Sequence, residues 1–285
     1  MRPPGRPKGE CRSAQHEGTP VRALRLPVSR LALAAMLVLA LLPPLAVLLY
    51  GLTERWDRSL LPEGATLHWL IDVGRAARTH AAVINTLWLS LCSAVLAVVL
   101  GSAASLAARL AAPRLAELLD ALALLPYAIP PVVIAIGALE LFVGRWGAYL
   151  DLRMVYVGVV TPLLFPLVHK TLGAAMKQLD AAQLLEAGRT LGAGDAYILR
   201  RVVLPLLVPA LTASLLLCWI TAAMEFAIAN LLLGGNVELL QPMMNSMRGV
   251  NGHESAALIV LSFGVVALLG IVVQALISWN TRKNS

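Results

Sequence analysis

The most explicit chemical signal in the 285-residue chain is Gly192-Ala193-Gly194-Asp195. A carboxylate after a Gly-x-Gly run can share a proton with a second aspartate and activate water for peptide hydrolysis. That reaction needs both acids inside a membrane and facing each other. Asp195 instead sits among Arg189, Arg200 and Arg201, and no Tyr-Asp pair supplies the second acid. Other chemistries leave no trace: Cys11, Cys92 and Cys218 form no CxxC pair, and the five histidines form no HExxH. None of the four lysines (Lys8, Lys170, Lys177, Lys283) follows a glycine, so the chain has no phosphate-binding loop for ATP. It is expected to perform no covalent chemistry and to hold no cofactor or metal.

The elements that must position these residues are apolar. Hydrophobic residues make up 59% of the chain and charged ones 14%, with a mean hydropathy of +0.77. They collect into blocks of about 20, the length a helix needs to cross about 30 Å of hydrocarbon. Six spans are expected, over 31–52, 87–108, 121–143, 154–168, 206–233 and 256–279, making an all-α polytopic membrane protein. The fourth is short and contains Pro162 and Pro166, the pattern of a re-entrant or broken segment.

Lysine and arginine mark the cytoplasmic side, because basic loops resist translocation. With the N-terminus inside, sixteen basic residues fall in cytoplasmic segments and seven outside. Both termini are therefore expected in the cytoplasm. The net charge of +7 follows from this bias and does not call for nucleic acid. The first apolar block is too long for a cleaved signal peptide and lacks a cleavage site after Pro43-Pro44, so it is read as a retained helix. Residues 1–30, rich in Pro, Gly and Arg, read as a cytoplasmic tail on anionic lipid, and 31–285 as the membrane domain.

The longest internal cytoplasmic segment runs from His169 to Pro205. Asp180 and Gln183 have capping-box spacing and predict a helix start. Gly192 should end that helix in the left-handed conformation, Asp195 should cap a second short helix, and Pro205 should close or kink it. Small residues throughout leave the backbone open to another chain. A hairpin lying on lipid headgroups and a docking element explain this order equally well.

The segment resembles the EAA loop of ABC-importer permeases: Glu186-Ala187-Gly188, three residues to Gly192, nine more, then Val202, Val203 and Leu204-Pro205. Gly188 stands where that pattern has alanine, and a small side chain is kept. The resemblance covers the six-span layout and the loop, about 177–205, but not sequence detail elsewhere. It implies coupling helices that insert into a separate ATPase subunit, where ATP is bound. Glu186 and Gly192 would be the sensitive docking positions, flanked by Ala187, Gly188, Leu204 and Pro205, with Asp195 and Arg189 as further contacts. It also implies a second permease chain, identical or homologous, an external solute-binding protein, and a bacterial inner-membrane location. Within the family, the Glu-Phe of the fifth span and "LPEGATLHW" at 61–69 resemble the branch that moves polyamines, ferric iron and aminophosphonates.

Two features suggest where solute crosses. A carboxylate within a span is costly and faces protein or water, which makes Glu225 a pathway candidate, with Asn230 roughly on the same face. A structural hydrogen bond between helices is the alternative. "PYAIPP" at 126–131, with Pro126 and Pro130, should break the third span where protein or water satisfies the backbone; its alternative is a packed proline kink. The rival functions are an intramembrane aspartyl protease, on the Gly-x-Gly-Asp match, and an ion-driven secondary transporter. The second is disfavoured because no inverted halves with matched broken helices are evident.

Overall fold

The computed structural model describes residues 26–56, 62–111, 113–143 and 150–283, so most of the tail expected over 1–30 lies outside the described residues. The chain divides between Ala46 and Val47 into two units. The first contains most of helix α1 (Leu26–Gly51), whose side chains from Arg30 to Leu45 are all exposed. This is the surface expected of an apolar helix whose solvent is lipid rather than a protein core.

The second unit opens with a short hairpin, β1 (Thr53–Arg55) against β2 (Glu63–Ala65), an element that the all-α reading did not foresee. Helices α2 (His68–Arg75) and α3 (Ala77–Ala111) follow. The third span is then built in pieces: α4 (Pro113–Leu122), α5 (Leu125–Ala128) and α6 (Pro131–Ala138), widening into a π turn over Leu139–Val143. Beyond it come α7 (Leu152–Gln178), α8 (Ala181–Thr190), α9 (Asp195–Ile198) and a second wide turn over Leu199–Val203 that leads into α10 (Leu204–Ala223). The chain ends in α11 (Leu240–Arg248) and α12 (Gly252–Lys283).

Among the described residues, four continuous stretches are long and apolar enough to cross a bilayer: Arg30–Gly51, Ala77–Arg109, Leu152–Gln178 and Asp195–Ala223. Arg114–Ala128 and Pro131–Phe142 make a further, broken span bent by 86°. The break falls inside "PYAIPP", as expected, because Pro130 takes an extended ψ of 135° and neither proline at 130 and 131 can donate to the preceding turn. Helix α12 supplies a last apolar helix over Gly252–Leu268.

The fourth span is longer than the 154–168 read from sequence, and it is not the re-entrant or broken segment that its prolines suggested. Helix α7 is continuous for 27 residues despite Pro162 and Pro166. It lies at the centre of the unit, packed against both α3 and α10, so neighbouring helices can cover the carbonyls that the prolines leave free. Gly101 of α3 permits the close approach, since a Cβ there would lie 3.2–3.3 Å from Val168 and Phe165. Apolar counting ended the span at His169 because a histidine and a lysine follow. His169 is in fact 2% exposed and paired, so the helix runs on for another nine residues.

Leu164 is 2% exposed in the central cluster, whereas Leu39 on α1 is 74% exposed. Leu164→Ala should cost about 2–5 kcal/mol through the cavity it leaves. It should lower the apparent melting temperature in detergent, while Leu39→Ala should leave that temperature unchanged.

Candidate functional site

The cytoplasmic segment expected from His169 to Pro205 is mostly helix. Only Leu179–Asp180 and Leu191–Gly194 separate α7, α8 and α9. Helix α8 starts where predicted, but the capping box does not form. Asp180 adopts a left-handed backbone, φ 46°, and its side chain makes no cap hydrogen bond. The turn out of α7 requires that conformation, which an aspartate tolerates better than most residues.

The end of α8 follows the prediction closely. Gly192 has φ 82°, its N–H donates to the Arg189 carbonyl at 2.9 Å, and the Ala193 N–H donates to the Gly188 carbonyl at 3.0 Å. This pair of bonds is a Schellman motif, and its left-handed position favours glycine. Asp195 does not cap the next helix, correcting that expectation; it is the first residue of α9, and Gly194 stands at the cap. Both of its carboxylate oxygens instead accept from Arg189, Nε to Oδ1 and Nη2 to Oδ2, each at 2.7 Å. This bidentate pair holds the start of α9 against the end of α8, and the carboxylate raises the Arg189 pKa first through the hydrogen bond and then through its charge. The pair is solvent-exposed, so it contributes geometry more than stability.

Pro205 does not close the second helix. Helix runs unbroken from Asp195 to Ala223, and the wide turn over Leu199–Val203 makes room for a ring that would otherwise strike the carbonyl four residues back. The second helix of the hairpin is thus the near end of the fifth span. Inside the hairpin, Leu185, Ile198, Val203 and Leu207 form a buried cluster with Leu106 of α3 and with Leu172 and Met176 of α7, and the half-buried Leu204 packs on it. Gly188 faces the same interior: a Cβ there would meet Ile198 Cδ1 at 2.5 Å. Ile198 fills the space that the alanine of the EAA pattern would take. Outward, Glu186, Ala187 and Arg189 are exposed, and so are Leu191 at 87% and Tyr197 at 63%. Those two apolar side chains escaped the sequence reading, because nothing in their spacing says which way they point.

The two pathway segments come together, but not as expected. The fifth span does not continue through Glu225; α10 ends at Ala223 and the helix restarts after the acid. Glu225 caps that restart, its two carboxylate oxygens accepting from the Ile228 and Ala229 N–H groups at 3.0 Å each. The carboxylate is thus occupied by free backbone donors of a helix start and does not bond between helices. Asn230 lies in the restarted helix, half-buried, and Gly234, whose Cβ would collide with the Asn230 carbonyl, ends it. Ala135 and Ala138 of α6 share one buried cluster with Ile228, Ala229, Leu232 and Leu233. The pieces that follow the breaks in the two spans therefore pack on each other. Pro126 sits in the first turn of α5, before the break, and Pro130 stands at the break itself.

Sequence reading missed a polar cluster. Ser105 and Arg109 of α3, Asp120 of α4 and His169 of α7 meet within hydrogen-bond distance, although the histidines look dispersed in the sequence. Among the described residues no three His, Cys, Asp or Glu side chains are grouped as a metal would require.

Continuous and broken apolar helices with a polar helical hairpin between two of them define a polytopic membrane protein. Residues 97–284 match the model of the binding-protein-dependent transport system inner membrane components, and the chain belongs to that family. It is 25% identical over 253 residues to a permease assigned to 2-aminoethylphosphonate transport in Salmonella choleraesuis, PhnV, covering 87% of this chain and 92% of that protein. It is 24% identical over 249 residues to the spermidine/putrescine permease PotC of Haemophilus influenzae, covering 85% and 92%. A match of 38% over 101 residues, 35% of this chain, spans only 17% of a longer protein assigned as the ABC transporter permease y4fN of Sinorhizobium fredii. The fold matches a chain of a bacterial ABC transporter involved in alginate import, with TM-score 0.63 and 14% identity, over 88% of this chain and 94% of that one. The protein is a multi-pass inner-membrane permease subunit of an ABC importer, not an enzyme.

Gly188→Ala should force the hairpin open by pushing Ile198 out of place. Hydrogen exchange across 188–198 should accelerate, and adding Ile198→Ala, which removes both Cδ1 and the Cγ1 that lies 2.7 Å from the added Cβ, should restore part of the protection.

Proposed function

We propose that the hairpin from Glu186 to Pro205 is the surface on which a separate ATPase subunit closes, and that this chain supplies half of the pore through which a small solute passes. The observation that carries the reading is the hairpin's geometry. Its interior is locked by the Schellman turn, the Arg189–Asp195 pair and the Gly188–Ile198 contact. Its exposed face is left to Glu186, Ala187, Leu191 and Tyr197, a rigid and partly apolar knob. A connecting loop has no need of such rigidity, and docking onto a groove does. Gly192, Leu204 and Pro205 act by shaping the knob.

The remaining partners follow from the family: a second permease chain, identical or homologous, to complete the pore, and an external protein that delivers solute. ATP is bound by the partner ATPase and not here. The positive-inside bias of the sequence supports a cytoplasmic position for both termini and the hairpin. The pathway runs where the two broken spans meet, around Pro130 and the Glu225–Asn230 restart, with Pro126 on the approach. Interrupted helices at membrane depth supply unpaired backbone groups that a solute can use. In this reading Glu225 shapes the pathway by holding the restart open.

Of the polyamine, aminophosphonate and ferric iron types, the amine-bearing solutes are favoured. Two relatives matched over 92% of their own length are assigned to spermidine/putrescine and to 2-aminoethylphosphonate. A primary amine is the chemical feature these solutes share.

Glu186→Arg should remove the ATP-binding subunit from the complex recovered from native membranes, while Asp195→Asn should retain most of it. Mass spectrometry of the purified complexes reads both. If the wild-type chain, isolated under conditions that keep other importers whole, brings no ATPase, the reading fails. Uptake of radiolabelled putrescine and 2-aminoethylphosphonate in cells with and without the chain tests the solute class.

A further inference from the structure

Helix α7 is the arm that carries the hairpin, since two residues, Leu179 and Asp180, join it to α8. Near the loop end of that arm lies His169, 2% exposed and stacked on Phe165 with ring centroids 5.4 Å apart. Its Nδ1 is 2.8 Å from Ser105 Oγ and its Nε2 is 2.6 Å from Asp120 Oδ1. A neutral imidazole satisfies both bonds, accepting from the serine hydroxyl and donating to the carboxylate. Arg109 Nη2 donates to the same Asp120 oxygen at 2.8 Å. Its guanidinium rests on the arm's backbone, for a Cβ on Gly173 would lie 2.7 Å from Nη2.

Asp120 belongs to a different element. It sits on α4, in the half of the third span that precedes the break at Pro130. Helix α4 packs mainly on α3, and Asp120 gives it a polar link to α7. Beyond the break, α6 packs on the helix that restarts after Glu225. A connected path thus runs from the hairpin along α7, through one carboxylate, into the span whose bend marks the proposed pathway.

We propose that Asp120, held by His169 and Arg109, transmits motion of the α7–α8 arm to the broken third span and so sets the state of the break at Pro130. The proposal rests on the reading of the hairpin as the ATPase docking surface. Asp120, His169 and Arg109 are positioning residues. They touch no solute, and the α7–α4 contact is the element whose arrangement both ends bias. A purely structural cluster would lower the yield of folded complex when broken but would leave the response to nucleotide intact in the complex that remains.

The test uses the whole complex in inverted membrane vesicles, with Tyr127→Cys as reporter beside the break, where the side chain is 55% exposed. Its labelling rate by a water-soluble maleimide is measured without nucleotide and after trapping with ATP and vanadate, against the same chain lacking the added cysteine. With Asp120 intact, trapping should change the rate by about fivefold or more, the lower end of ordinary coupling between sites. Asp120→Asn should abolish that change while the associated ATPase still hydrolyses ATP, and Asp120→Glu should restore it. Arg109→Gln, which leaves the His169 bond in place, should weaken the change and carries the test if Asp120→Asn does not assemble. A full response in assembled Asp120→Asn or Arg109→Gln complexes overturns the proposal. So does a reporter that ignores trapping in active complexes with Asp120 intact. If no ATPase accompanies the chain at all, the docking reading falls with it.

Discussion

Hydrocarbon offers no hydrogen-bond partner, so every backbone N–H and C=O at membrane depth must be satisfied by the protein itself. Much of this chain's architecture follows from how it meets that demand at its interruptions. At Pro130 the chain changes direction by 86°, and the Pro130 carbonyl is taken up by the Val133 and Ile134 N–H groups. After Ala223 the interruption is met from a side chain, Glu225, whose carboxylate receives two N–H groups of the restarted helix. The two repaired segments then share one buried cluster in which Ala135, Ala138 and Ala229 are small, with Ile228 among them. Small side chains at such a contact let helices approach closely, which is where packing energy in a membrane comes from.

The same economy shapes the hairpin between the fourth and fifth spans. The ten-residue α8 is marginal in isolation, so the geometry of α8 and of the start of α9 must come from what packs around them. Leu185, Ile198 and Val203 anchor them to α3 and α7, the Gly192 turn closes α8, and the Arg189–Asp195 pair fixes the start of α9. The departure of Gly188 from the EAA pattern makes physical sense in this setting. The interior accepts one large side chain, and here Ile198 supplies it. The Gly-x-Gly-Asp match dissolves at the same place, because both oxygens of Asp195 are engaged by Arg189 and are not free to share a proton with a second acid.

Composition and apolar block length made the class of fold legible, and a short motif at matched spacing made the family legible. Hydropathy failed where a polar residue was satisfied inside the bundle. His169 looked like the start of a loop because Ser105 and Asp120, its partners, lie 64 and 49 residues away in sequence. Glu225 looked like a residue within a span because the apolar run continues on both sides of it, and only the backbone shows that it starts a new helix. Capping spacing located the start of α8 but not its mechanism, since the turn at Asp180 needed a left-handed residue more than a side-chain cap. Proline positions were informative in one case and misleading in another. Consecutive prolines at 130 and 131 broke a helix, whereas Pro162 and Pro166 were absorbed by a helix with neighbours on both sides.

The central claim is that the outward face of the hairpin touches an ATPase. A photo-crosslinking amino acid placed at Leu191, the most exposed apolar side chain of the hairpin, tests it most directly when activated in native membranes. The account predicts a crosslinked product with a subunit that carries a glycine-rich, lysine-containing ATP-binding loop. Crosslinks confined to lipid or to this chain, in membranes where the importer is active, would contradict it.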